Sequence, residues 1–109
     1  MEVTFTDNGQ HKIINVSGDV NIFNVSHLKK ALLSITDGQC KSVIVNLSGV
    51  SYMDSSGIGA LVAGQKRMKA INGNFALMNI HDDVLNILKL VSLDKFFKIY
   101  SSADLGSPA

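Results

Sequence analysis

Apolar residues along this chain come in short dense runs separated by Gly, Asn, Asp and Ser. Val3 and Phe5, then Ile13, Ile14 and Val16, fall in two runs rich in β-branched and aromatic residues, and Asp7-Asn8-Gly9 between them carries turn chemistry. The pattern predicts an opening β-hairpin. After Gly18, the segment Asp19-Val20-Asn21-Ile22-Phe23-Asn24 reads as a loop, and Asn24 is placed to cap a helix whose apolar residues Val25, Leu28, Leu32 and Ile35 recur at helical spacing. Asp37-Gly38 supplies its stop. Ser42 to Leu47 is almost continuously apolar, as expected of a strand covered on both faces in the middle of a sheet.

The connection Ser48 to Gly57 leads into the longest helical pattern, from about Ser56 to about Ile71, with Ile58, Leu61, Val62, Met68 and Ile71 as its buried stripe. Gly57, Gly59, Ala60, Ala63 and Gly64 make the first half of this helix unusually small. Each glycine there costs roughly 1 kcal/mol of helix propensity and permits close approach of a neighbour, so tight packing is expected. Asn72-Gly73-Asn74 closes the helix, Phe75 to Ile80 reads as a strand, Asp82 or Asp83 as the cap of a helix carrying Val84, Leu85, Leu88 and Val91, and Phe96 to Tyr100 as a last strand. The order β-β-α-β-α-β-α-β implies an α/β layer structure with a partly parallel sheet.

Length and composition narrow the functional classes. At 109 residues, two domains would each be too small to bury a good core, so residues 1–109 are expected to form one domain with a small polar tail over about 102–109. The chain is 46% hydrophobic and only 17% charged, yet no stretch approaches the roughly 18 to 20 apolar residues of a spanning helix. The surplus apolar surface is expected in a core or against a partner. MEVTF followed by Thr6, Asp7 and Asn8 does not read as a signal peptide, and the single cysteine, Cys40, suits a reducing compartment, so a cytoplasmic location is expected. A net charge of +1 with one arginine, Arg67, argues against duplex nucleic acid as a partner.

His11, His27 and His81 are scattered over a strand, a helix and a loop with no metal-ligand spacing, so no metal site is expected. There is no Gly-x-Ser-x-Gly elbow and no Walker motif, and Gly57-Ile58-Gly59 lacks the third glycine of a dinucleotide loop, where Val62 stands. The cluster Lys66, Arg67 and Lys69 beside Gln65, like Lys29 and Lys30 on the preceding helix, reads as a solvated face. What remains is Met53-Asp54-Ser55-Ser56-Gly57 at a strand-to-helix junction. A helix start has unpaired amides and favours a capping serine or aspartate, and it also receives phosphate. A plain cap accounts for one of these side chains, and two adjacent hydroxyls exceed that need.

The stretch VIVNLSGVSYMDSSGIGALV, with Gly18-Asp19-Val20 upstream, resembles the anti-sigma factor antagonist family, the stand-alone STAS domains, over nearly the whole chain. The resemblance implies an α/β STAS-like domain, with a mixed β-sheet opened by the N-terminal hairpin and helices packed mainly on one face. It further implies that Ser55, the serine directly after the aspartate, is phosphorylated by a partner that is both serine kinase and anti-sigma factor. A phosphoserine phosphatase would reset it. Asp19, Asn21, Asp54, Ser56, Gly57, Ile58 and Gly59 match positions expected at the partner surface. One departure stands out: Asn21 occupies a place where many family members carry an aspartate. The chain itself would be no enzyme and need no cofactor, would bind neither nucleic acid nor membrane, and would be a monomer or weak dimer. Two other classes stay open, a scaffold subunit of a larger signalling assembly and a small nucleotide-binding or acyl-handling enzyme with Ser55 as nucleophile beside Asp54. No histidine lies near Ser55 in sequence to serve as its base.

Overall fold

The computed structural model describes residues 1–7, 9–36 and 40–101, so the Asn8 of the first turn, the Asp37-Gly38 stop and the tail over 102–109 lie outside the described residues. The elements run β1 (Glu2–Asp7), β2 (Lys12–Ser17), α1 (Val25–Ile35), β3 (Ser42–Gly49), α2 (Ser55–Ala70), β4 (Asn74–Met78), α3 (Asp82–Leu90) and β5 (Lys98–Tyr100). They form one five-stranded sheet in the order β1-β2-β3-β4-β5. The hairpin pair β1–β2 is antiparallel, with Phe5 opposite Ile14, and every other pair is parallel.

The strand order advances one step at a time, and that decides where the helices go. Crossovers between parallel strands are right-handed almost without exception, so a sheet that grows in one direction carries its crossover helices on the same face. Accordingly, residues of α1 (Leu28, Leu32), α2 (Leu61, Met68) and α3 (Val84, Leu88) share one core with Ile14, Val45, Leu47 and Leu77 from the strands. Burying each leucine there contributes about 1.5–3 kcal/mol relative to leaving it in water. On the opposite face a smaller cluster of Ile13, Ile44, Ala76 and Met78 lies with Tyr100 against it.

That second face explains the near-continuous apolar run of β3, which is central and has Val43, Val45 and Leu47 in the first cluster and Ile44 in the second. It also carries a polar ladder, in which Asn46 donates to Asn15 Oδ1 at 2.9 Å and Asn15 donates to Thr6 Oγ1 at 2.9 Å.

Several predicted boundaries shift. The helix expected from Ser56 to Ile71 begins at Ser55 and ends at Ala70, and Val62 and Ile71 are only partly buried beside the core rather than in it. The helix expected to be capped by Asp82 or Asp83 has both carboxylates inside its first turn, after His81. There they face the positive end of the helix dipole without capping it. The last strand is Lys98–Tyr100 and excludes Phe96 and Phe97. Those two rings meet edge to face at 5.1 Å, and Phe97 turns into the core, which needs a turn where the sequence suggested a strand. The strand expected to reach Ile80 stops at Met78, where Asn79 takes the left-handed conformation with φ of 56°.

Candidate functional site

The loop between β2 and α1 is brought against the loop between β3 and α2 by a short parallel bridge, Val20 to Met53. Val20 N–H donates to Tyr52 O at 3.1 Å, and Asp54 N–H donates to Val20 O at 3.1 Å. Val20 and Met53 are both fully buried, so the two loops are anchored by side chains as well as by backbone. This bridge places Asp19 to Asn24 beside Asp54, Ser55 and Ser56, which are thirty or more residues away in sequence.

Asp54 is the N-cap of α2, with extended backbone. Its Oδ1 accepts from Ser56 N–H at 2.9 Å, from Gly57 N–H at 3.4 Å and from the Ser56 hydroxyl at 2.5 Å. Its Oδ2 accepts from Ile22 N–H at 3.0 Å. The Ser56 hydroxyl above all, with the Ile22, Gly57 and Ser56 amides, holds the carboxyl below the usual aspartate range against a smaller opposing effect of desolvation. The carboxylate is therefore ionised and fully engaged at neutral pH. It serves as a clasp between α2 and the β2–α1 loop.

This geometry separates the two serines. Ser56 is half-buried with its hydroxyl committed to Asp54, whereas Ser55, the first residue of α2, is exposed. Among the described residues the Ser55 side chain makes no hydrogen bond. The surplus hydroxyl noted in the sequence is thus Ser55, presented to solvent at a helix N-terminus, and no base is hydrogen-bonded to it as serine nucleophiles require.

The other predicted positions divide by burial. Asp19 and Gly59 are exposed, and a Cβ added at Gly59 would meet nothing within 4 Å. Gly57 and Ile58 are buried. A Cβ at Gly57 would lie 2.4 Å from Met53 Cγ and 2.9 Å from Val20 Cγ1, so this glycine is required by the packing beneath the site, and it is not part of an open surface. Gly64 is small for the same kind of reason, since a Cβ there would sit 2.9 Å from the Phe75 ring.

Asn24 does not cap α1 with its side chain, contrary to the sequence expectation. Its Oδ1 accepts from Asn21 N–H and its Nδ2 donates to Asp19 O, each at 2.9 Å. Asn21 Oδ1 in turn accepts from Phe23 N–H at 2.9 Å. An aspartate at position 21 would supply the same acceptor, so the departure at Asn21 changes the charge at this place and leaves the loop's bonding intact.

The residues that sequence reasoning missed are Ile22, Phe23 and Tyr52. Phe23 is 93% and Ile22 69% exposed, on the loop that Asn21, Asn24 and Asp54 hold in place, and Tyr52 is also exposed. Two large apolar side chains in a six-residue loop were the available signal. The basic cluster on α2 and its neighbour Gln65 separate: Gln65 is buried and donates to Phe96 O, Lys66 is exposed, Arg67 donates to Thr36 Oγ1 and O, and Lys69 stands 5.6 Å from the Phe96 ring centroid. Among the described residues no three His, Cys, Asp or Glu side chains are grouped to hold a metal ion, and no helix is long and apolar enough to cross a membrane.

Comparison with known proteins places this geometry in context. Residues 2–105 match the model of the STAS domain. The anti-sigma-B factor antagonist of Bacillus subtilis (strain 168) is 25% identical over 93 residues, which cover 85% of this chain and 84% of that protein. A crystal structure of a candidate anti-sigma factor antagonist from Thermotoga maritima superposes with a TM-score of 0.87 at 25% identity, covering 95% of this chain and 90% of that one. The anti-sigma factor antagonist SpoIIAA in its unphosphorylated form superposes with a TM-score of 0.78 at 20% identity, over 95% of this chain and 92% of that one, a likeness of fold.

Proposed function

The chain belongs to the STAS domain family, and on that premise we propose that it is an anti-sigma factor antagonist that works by partner switching, with Ser55 as the phosphorylated residue. The observation that carries the reading is the unpaired, exposed Ser55 hydroxyl beside a Ser56 hydroxyl committed to Asp54. The name borne by the Bacillus subtilis relative supports the same class of activity.

Unphosphorylated, the protein captures an anti-sigma factor that is also a serine kinase, and so frees the regulatory protein that kinase holds. Exposed Asp19, Gly59, Ile22 and Phe23, with half-buried Asn21, Asp54 and Ser56, form the contact surface around Ser55, and Gly57 and Ile58 support it from below. The kinase transfers the γ-phosphoryl group of its ATP to Ser55 Oγ, and the hydroxyl proton is lost. A phosphatase later hydrolyses the ester and restores the hydroxyl. The chain needs no cofactor of its own in this cycle, which takes place in the cytoplasm.

Two magnitudes decide where the phosphate acts. A phosphoserine adds about −1.5 to −2 charge at neutral pH. At the start of α2 the helix dipole favours that anion by about 0.3–1 kcal/mol while the neighbouring Asp54 carboxylate opposes it, so the domain itself changes little. Across an interface shaped around a neutral hydroxyl the same charge costs several kcal/mol, and 1.4 kcal/mol is already tenfold in affinity. Release of the partner follows.

The test is capture from a lysate of the source cells with wild type, Ser55→Ala and Ser55→Asp as bait, followed by mass spectrometry. Wild type and Ser55→Ala are expected to capture one ATP-binding, kinase-like protein that Ser55→Asp leaves behind. That protein, purified and supplied with ATP, is expected to add a single phosphate to wild type and none to Ser55→Ala. Equal capture by all three baits overturns the reading.

A further inference from the structure

We propose that the groove between α1 and α2 is a docking site for an acidic, amphipathic helical segment of a protein partner. The groove has a volume of about 540 Å³ and begins at Ser56, running along α2 to Arg67. Its floor is Leu32, Ala60 and Gly64, and Gly59, Ala63 and the half-exposed Leu33 form its shoulders. Lys29 and Arg67 stand on its walls, one from each helix.

Charge complementarity names the occupant. Of the ten basic residues in the chain, α1 and α2 hold five, namely Lys29, Lys30, Lys66, Arg67 and Lys69. Of the nine acidic residues they hold none, so a net charge of +1 conceals two helices at +5 and a remainder at −4. An ordinary solvated helix face intersperses both signs, because i, i+4 pairs of opposite charge stabilise it. Both helices here forgo those pairs. Of the five, Lys29 and Arg67 line the groove itself, and they favour a segment that brings carboxylates to its walls and apolar side chains to its floor.

Shape narrows the choice further. Ser56 to Arg67 spans about 16 Å at the rise of an α-helix, so the groove accommodates about three turns of a docked helix. The small side chains of Ala60 and Ala63 and the open space beside Gly59 allow that helix to approach closely, as small residues do at tight helix crossings. A flat lipid surface needs protruding apolar residues and would bridge over such a concavity. Arg67 is fixed in place, since its guanidinium donates to Thr36 Oγ1 at 2.9 Å and Thr36 O at 3.3 Å. It still has donors left for a carboxylate.

The groove adjoins the contact surface around Ser55, sharing Ser56 and Gly59 with it, and its test needs no kinase. The isotope-labelled 109-residue chain is titrated with a side-chain-stapled peptide of about four turns that carries Leu at positions i, i+3, i+4 and i+7 and Glu on both flanks. A matched peptide with Lys for Glu and phosphatidylglycerol vesicles form the other arms. The Glu peptide is expected to shift the amide signals of Leu33, Gly59, Ala63 and Arg67, to bind more weakly as salt is raised, and to lose roughly tenfold in affinity with Lys29→Glu. Lys29 is exposed, and a second variant, Lys95→Glu, which lies off the groove, is the control for charge alone. Equal binding of both peptides, an equal loss with Lys95→Glu, shifts outside the groove, binding to vesicles alone, or no binding overturns the proposal.

Discussion

Asp54 and Ile22 are thirty-two residues apart, yet Asp54 Oδ2 accepts the Ile22 amide at 3.0 Å while Oδ1 closes the first turn of α2. One carboxylate thereby fixes the start of a helix and the loop that faces it. Because Ser55 follows Asp54 directly, the serine's position relative to Ile22 and Phe23 is set by this clasp.

The clasp makes stability depend on acid pH in a definite direction. The folded-state value for Asp54 lies below the ordinary 3.8, so the unfolded chain takes up the proton first as pH falls. The contribution is fully present above the unfolded value and is lost as pH drops through the lower folded one. Asp54→Asn is expected to unfold at lower urea than wild type at about pH 7, and the gap is expected to close below about pH 4. A gap that stays constant over that range would show that Asp54 acts through packing alone.

Gly57 and Gly59, two residues apart on one helix, are expected to respond oppositely to alanine. At Gly57 the added methyl would meet Met53 and Val20, and such overpacking costs about 1–3 kcal/mol. At Gly59 it meets nothing, so the gain in helix propensity of about 0.5–1 kcal/mol is expected to appear as added stability. Thermal unfolding of both variants distinguishes packing at Gly57 from a mere preference for small residues.

The loop asparagines are expected to separate in the same way. Asn24→Ala removes two hydrogen bonds, to Asp19 O and from Asn21 N–H, and is expected to cost about 1–3 kcal/mol at roughly 0.5–1.5 per bond. Asn21→Asp retains the acceptor for Phe23 N–H and is expected to fall within about 0.5 kcal/mol of wild type. Urea unfolding, with amide exchange at Ile22 and Phe23 as a local readout, checks both.

Ser55→Asp is expected to leave unfolding within about 0.5 kcal/mol of wild type, since an exposed side chain at a helix start meets only weak opposing charge effects. Ser56→Ala is expected to be the less stable of the two serine variants, because it removes the hydroxyl bonded to Asp54. A large loss for Ser55→Asp would mean that the phosphate acts on the domain rather than on its interface.

Much of the architecture was legible because its causes are local. The alternation of Val3 and Phe5, the turn chemistry at Asp7 and Gly9, the apolar run from Ser42 to Leu47 and the helical spacing of Val25, Leu28, Leu32 and Ile35 each report a backbone period within one short segment. Element ends were less legible, as at Phe96 and Phe97, where a ring contact and burial in the core override a strand-like run.

The sequence by itself determined the order of strands and helices, the presence of an Asp-Ser-Ser helix start and the surplus of one hydroxyl there. Only the tertiary structure decided which serine is free, because Ser56 is bonded and Ser55 exposed by virtue of how Asp54 turns. It also turned Gly57 inward against Met53 and Val20, and set Ile22 and Phe23 beside the site. Ile22 holds Asp54 in that orientation and Val20 meets Gly57, contacts between segments more than thirty residues apart. Such contacts depend on the three-dimensional path of the chain, whereas periodicity and capping are written in neighbours along it.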